Sequence, residues 1–158
     1  MKAKLLLTAL ALTVFTVSKV QAQCSISSTP SQNCASFGDQ IDAVKINGTS
    51  STNSTGCSSG GHGGPFSTPN WLFIPGVANS FTIVVGGGVY SEALAIWVDY
   101  NNNGYYDNSE QVYASSGWLQ THNSTFTIPA NAPGGATHMR ILCAYTSGTI
   151  PNSAQCSN

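Results

Sequence analysis

Residues 93–98, ALAIWV, are apolar at every position. Six apolar residues are too few for a buried helix, and the β-branched and aromatic content favours an extended chain. A strand apolar on both faces must lie at the centre of a sheet covered on both sides. Around it the chain offers other strand-length runs. FTIVV (81–85) puts Phe81, Ile83 and Val85 on one face, and ATHMRILCAY (136–145) alternates Met139, Ile141, Cys143 and Tyr145 against His138, Arg140, Leu142 and Ala144. Shorter candidates are 40–46, 71–74, 110–113 and 124–128. Turn clusters such as Pro75-Gly76, Gly86-Gly87-Gly88 and Pro133-Gly134-Gly135 separate them. The pattern predicts an all-β fold, a β-sandwich of jelly-roll-like topology.

The first 22 residues stand apart. Lys2 and Lys4 precede an apolar run from Leu5 to Val17, and Val20-Gln21-Ala22 resembles a cleavage site. Such a run is short for a membrane span and reads as a secretory signal peptide. Gln23, rather than a small residue, precedes Cys24, which disfavours a lipoprotein signal. Residues 23–158 then form one domain. They keep two basic residues, Lys45 and Arg140, against six acidic ones, a net charge of −4 with histidine neutral. No basic patch exists to collect phosphates, which argues against nucleic acid as a partner. Export makes disulfides plausible among Cys24, Cys34, Cys57, Cys143 and Cys156. Five is an odd number, and spacing alone does not choose their pairing.

Residues 48–69 are poor in bulky side chains and read as a long surface loop. His62, inside Gly-Gly-His-Gly-Gly, lacks neighbours at metal-ligand spacing.

The acidic residues are unevenly placed. Asp99, Asp107 and Glu110, half of all the acids, fall within the twelve residues DYNNNGYYDNSE (99–110). With Asp99 as position 1, Asn101 is 3, Asn103 is 5, Gly104 is 6, Tyr105 is 7, Asp107 is 9 and Glu110 is 12. That is the spacing of an EF-hand calcium loop. Ca²⁺ takes about six to eight oxygens, and alternate side chains on a tight loop can supply them. Asp99, Asn101, Asn103, Asp107 and Glu110 would offer side-chain oxygens and Tyr105 its carbonyl, while Gly104 permits the sharp turn. An Asn-Gly hairpin alone would explain Asn103-Gly104, but not three carboxylates at these positions. Calcium is therefore the expected cofactor, on a loop joining two strands.

No catalytic constellation can be assembled. His62, His122 and His138 lie in no HExxH or triad context, and no Gly-x-Ser-x-Gly elbow is present. Glu92 and Glu110 flank a strand and its loop, too far apart for a glycosidase pair. A non-enzyme is expected. Tyr106 and Trp118, with other aromatics near the loop, are candidates for a sugar-binding surface.

The run IWVDYNNNGYYDNSEQVY (96–113), followed by FTIPANAPGGATHMRI (126–141), resembles the GEVED domain of secreted bacterial proteins. Trp97-Val98-Asp99-Tyr100-Asn101 with Gly104 and Tyr106, then Pro129, Ala132, Gly135, Met139 and Arg140, carry the resemblance. It implies an extracellular accessory or adhesion module whose partners would be a glycan or a host or matrix surface protein. It also implies a Gly-Glu-Val-Glu-Asp segment after a cysteine. Here Cys156 is followed only by Ser157 and Asn158. The domain is accordingly expected to be incomplete at its C-terminus, with an open sheet edge able to pair with another chain. A type IX sorting domain would lie downstream. Arg140 would then either meet an acid of that absent segment or snorkel to solvent.

Overall fold

The computed structural model describes residues 38, 40–52, 72–133, 137–145 and 149–150. Seven strands are present among them: β1 (Ile41–Ile46), β2 (Thr49–Thr52), β3 (Asn79–Val85), β4 (Ala93–Val98), β5 (Gln111–Ala114), β6 (Thr121–Phe126) and β7 (Met139–Ala144). They form two antiparallel sheets, ordered β2-β1-β3-β6 and β5-β4-β7. The chain crosses between sheets after β3, β5 and β6. This is the β-sandwich that the alternation predicts.

The core lies between the two sheets. Val44 and Ile46 of β1, Phe81, Ile83 and Val85 of β3, and Phe126 of β6 meet Leu94, Ile96 and Val98 of β4 and Cys143 of β7. Alternation along β3 places Asn79, Phe81, Ile83 and Val85 inward. Phe81 packs edge-on against Tyr113, with ring centroids 4.8 Å apart, tying the sheets together through aromatic contact. All six residues of β4 are buried, as expected of a strand apolar on both faces. Its second face, Ala93, Ala95 and Trp97, packs with Ile150, Leu142, Ala144 and Tyr106 outside the sandwich core.

Two local expectations are corrected. Residues 72–74 are not a strand; Leu72 is 75% exposed there. Their backbone is instead pinned by the buried Asn79, whose amide donates to the Ile74 and Val77 carbonyls and whose Oδ1 accepts from Ile74 N–H. Conversely, β2 lies within the stretch read as surface loop. Asn47 and Gly48 have φ of 45° and 88°, the left-handed pair a tight hairpin requires, and turn β1 into β2. The remainder of that stretch, with His62, lies outside the described residues, as do residues 1–37 with the signal segment and Cys24 and Cys34. Cys57 and Cys156 also fall outside. Cys143 is buried on the core face of β7.

The loops sort to two ends. Antiparallel pairing of Ala93 with Ala144 and Ala95 with Ala114 brings the starts of β4 and the ends of β5 and β7 together. The loop 99–110 leaves from the opposite end of β4.

Candidate metal-binding loop

β4 ends by delivering Asp99 to the mouth of the loop. The Asp99 N–H donates to the His138 carbonyl at 3.0 Å, and the Thr137 hydroxyl donates to the Asp99 carbonyl, so the first residue is held from both sides. Its side chain is 1% exposed. Oδ1 accepts the Asn103 N–H at 3.1 Å and Oδ2 the Gly104 N–H at 3.0 Å. One carboxylate thus caps two successive amides and folds the loop back on itself. Gly104, at φ 83°, supplies the left-handed turn this path needs, and Asn102 takes φ 55° beside it.

Asn101 and Asn103 repeat a smaller version of this geometry. Asn101 Oδ1 accepts the Asn103 N–H at 2.9 Å, and Asn103 Oδ1 accepts the Tyr105 N–H at 2.8 Å. Both are Asx turns, each using one lone pair of an amide oxygen. Their amide nitrogens donate to the same atom, Asp107 Oδ2, at 3.3 and 2.9 Å.

The far end closes through Glu110. It is fully buried, sits at the end of the 3-10 turn Asn108–Glu110, and accepts from Asp107 N–H (2.9 Å) and Asn101 N–H (3.4 Å). Burial raises its pKa, with the backbone donors opposing and the Asp99 and Asp107 charges adding to the rise. Positions 1, 3, 5, 9 and 12 of the predicted loop are therefore joined in one hydrogen-bond network.

The donor set is entirely oxygen, which suits a hard cation such as Ca²⁺. Among the described residues no three His, Cys, Asp or Glu side chains are gathered closely enough to hold an ion by themselves. The amide N–H groups of Asn101 and Asn103 both occupy Asp107 Oδ2. Seating an ion means turning those N–H groups away so that Asp107 faces it. The second lone pairs of both amide oxygens are available for that role.

The candidate aromatic pair is separated. Tyr106 packs against the cluster of Ala93, Ala95, Trp97 and Ile150 on the outer face of the three-stranded sheet. Burial there pushes its pKa up to about 12; Arg140 opposes the rise and Asp99 and Glu110 add to it. Trp118 is instead beyond the opposite end of β4, 42% exposed and stacked on Tyr145, with centroids 4.7 Å apart and planes 24° apart.

Arg140 does not snorkel. It is 6% exposed, and its Nη1 has no hydrogen-bond partner. The indole Nε1 of the fully buried Trp97 has none either. Neither feature was foreseeable from residue type alone, although Trp97 on a doubly apolar strand was bound to have a buried N–H.

An open groove of about 390 Å³ beside the loop is lined by Tyr100, Ser109, Gln111, Thr127 and Pro129 among others, with no carboxylate, histidine or cysteine among the described residues that line it. No described helix is long and apolar enough to cross a membrane.

No curated protein and no solved structure matches the chain significantly. Residues 93–158 match the family model of the GEVED domain, the region that starts at β4 and includes the loop. This part of the chain belongs to the GEVED domain family.

Proposed function

We propose that the protein is a non-catalytic extracellular module, stabilised by Ca²⁺ at the 99–110 loop, serving a secreted bacterial protein as an accessory or adhesion unit. The observation that carries this is the loop itself. Side chains at EF-hand positions 1, 3, 5, 9 and 12 share one hydrogen-bond network, and every side-chain donor available to a metal there is oxygen. The loop joins β4 to β5, so an ion held there ties together two strands of one sheet. Asp99, Asn101, Asn103, Asp107, Glu110 and the Tyr105 carbonyl are the ligands in this reading. When bound, the ion supplies structural charge neutralisation for three crowded carboxylates.

Calorimetric titration of the purified protein with Ca²⁺, after removal of metal, tests it. Binding in the range of about 10⁻⁴–10⁻³ M is expected. No heat and no thermal stabilisation at 10-fold higher Ca²⁺ would exclude the reading.

A second reading has one observation in its favour. Trp118 and Tyr145 form an exposed stacked pair, with Tyr145 68% exposed. Rings so presented suit the apolar faces of sugars. Because they lie away from the loop, glycan binding should not depend on Ca²⁺. A glycan array probed with and without the metal tests this; no binding under either condition ends it.

A further inference from the structure

The outer face of the three-stranded sheet holds two buried hydrogen-bond donors that have no acceptor among the described residues. Trp97 and Arg140 are directly paired across β4 and β7. Antiparallel partners of this kind have Cβ atoms about 4.5–5.5 Å apart, so both side chains leave the sheet side by side on one face. Trp97 is fully buried and its Nε1–H is unpartnered; Arg140 is 6% exposed and its Nη1 is unpartnered. Ala93, Ala95, Leu142, Ala144 and Ile150 form the apolar cluster on this face, and among the described residues no carboxylate acts on Arg140. The Ile150 carbonyl is already taken by Gln111 Nε2 at 3.1 Å. Tyr106 is the group whose electrostatics Arg140 feels most, and a phenol held neutral does not compensate a cation.

A guanidinium so placed is costly. Burying a cation with no opposing charge beside it is unfavourable, and an orphaned indole N–H adds to the cost. Both groups are pure donors, so the missing partner must be a pure acceptor. A planar two-oxygen anion matches an Arg fork and leaves a lone pair for the neighbouring indole. The acids of the calcium-type loop do not serve: the oxygens of Asp99 and Glu110 are engaged by backbone amides of that loop.

We propose that Arg140 and Trp97 form a receptor for one carboxylate on the outer face of the sheet. The carboxylate is carried either by an acidic side chain of a polypeptide or by a small organic acid, and the same two donors would receive both. This site is independent of the metal loop.

Thermal melting in metal-free buffer tests it, since carboxylates then cannot act through Ca²⁺. Acetate, glucuronate and a short extended peptide rich in glutamate are added at constant ionic strength, with chloride and a glutamine-substituted peptide as controls. At least one carboxylate is expected to raise the Tm where its control does not. A peptide effective at far lower concentration than acetate or glucuronate identifies a polypeptide source, and the reverse identifies a small acid. In a ¹⁵N–¹H spectrum the Trp97 indole resonance, assigned with Trp97→Phe, should move on addition. Trp97→Phe should weaken the midpoint concentration about tenfold, the loss of one charge-assisted hydrogen bond. Arg140→Met should abolish the response and, with its charge removed, melt no lower than the ligand-free wild type. No carboxylate-specific shift in the wild type, or a shift that survives in Arg140→Met, overturns the proposal. Should Arg140→Met fail to fold, the indole resonance and Trp97→Phe decide by themselves.

Discussion

Glu110 is the residue on which the loop closes, because its two oxygens reach back to Asp107 and Asn101. Glu110→Gln removes a charge and, in the calcium reading, one of two metal oxygens. It should weaken Ca²⁺ binding on the order of tenfold or more and blunt the calcium-dependent rise in Tm. Equal stabilisation of wild type and variant would contradict its role. A second residue effect concerns pH. His122 is fully buried, with Nε2 donating to the Glu92 carbonyl at 3.0 Å and Nδ1 unpartnered, beside the ring of Tyr113. Burial lowers its pKa, with the backbone contacts to Glu92 and Leu119 opposing. A histidine depressed in this way is neutral in both states above its unfolded pKa, about 6.5. Below that value the unfolded chain binds a proton that the fold resists, so stability falls with pH until the folded pKa is passed. Melting temperatures between pH 7.5 and 5 should decline, and His122→Leu should flatten that slope even if it lowers stability throughout. An unchanged slope would show that another group controls it.

The strands owe their strength to the core side chains that they interleave. Ile96 sits on β4 with no exposed surface and belongs to the cluster between the sheets. Ile96→Ala should cost about 3 kcal/mol, the sum of lost transfer energy and the cavity left behind, read by urea denaturation. At turns the backbone decides instead. Gly104 has open space where a Cβ would stand, so Gly104→Ala meets only the strain of φ 83°. A loss of about 1 kcal/mol is expected without calcium, from the left-handed backbone alone. The element boundaries show where pattern succeeds. The alternation of β3 and the uniform apolarity of β4 were visible because burial acts residue by residue along them. WLFI (71–74) is equally apolar, yet Leu72–Ile74 take no strand pairing: Asn47, 25 positions away, holds the Leu72 carbonyl, and Asn79 holds Ile74. β2, all Thr and Ser, has no apolar pattern, and only the Asn47-Gly48 turn advertises it.

At the scale of the molecule, binding to the folded state alone stabilises it by mass action. With an affinity near 10⁻⁴ M, 10 mM Ca²⁺ would add about 2.7 kcal/mol and raise the Tm by about 9 °C. A scan with Mg²⁺ as control measures it. The linear order of residues determined the all-β class, the doubly buried strand and the oxygen-rich spacing of 99–110, because each depends on neighbours within a dozen positions. Three things were decided only by tertiary structure. Pairing of β4 with β7 brought Trp97 against Arg140, forty-three positions away, and burial stripped both of water. Folding laid Tyr106 on the outer-face cluster of the three-stranded sheet and stacked Trp118 on Tyr145. Packing buried His122 beneath Tyr113. Desolvation and cross-strand contact belong to the assembled sheets, so no local reading of the chain contains them.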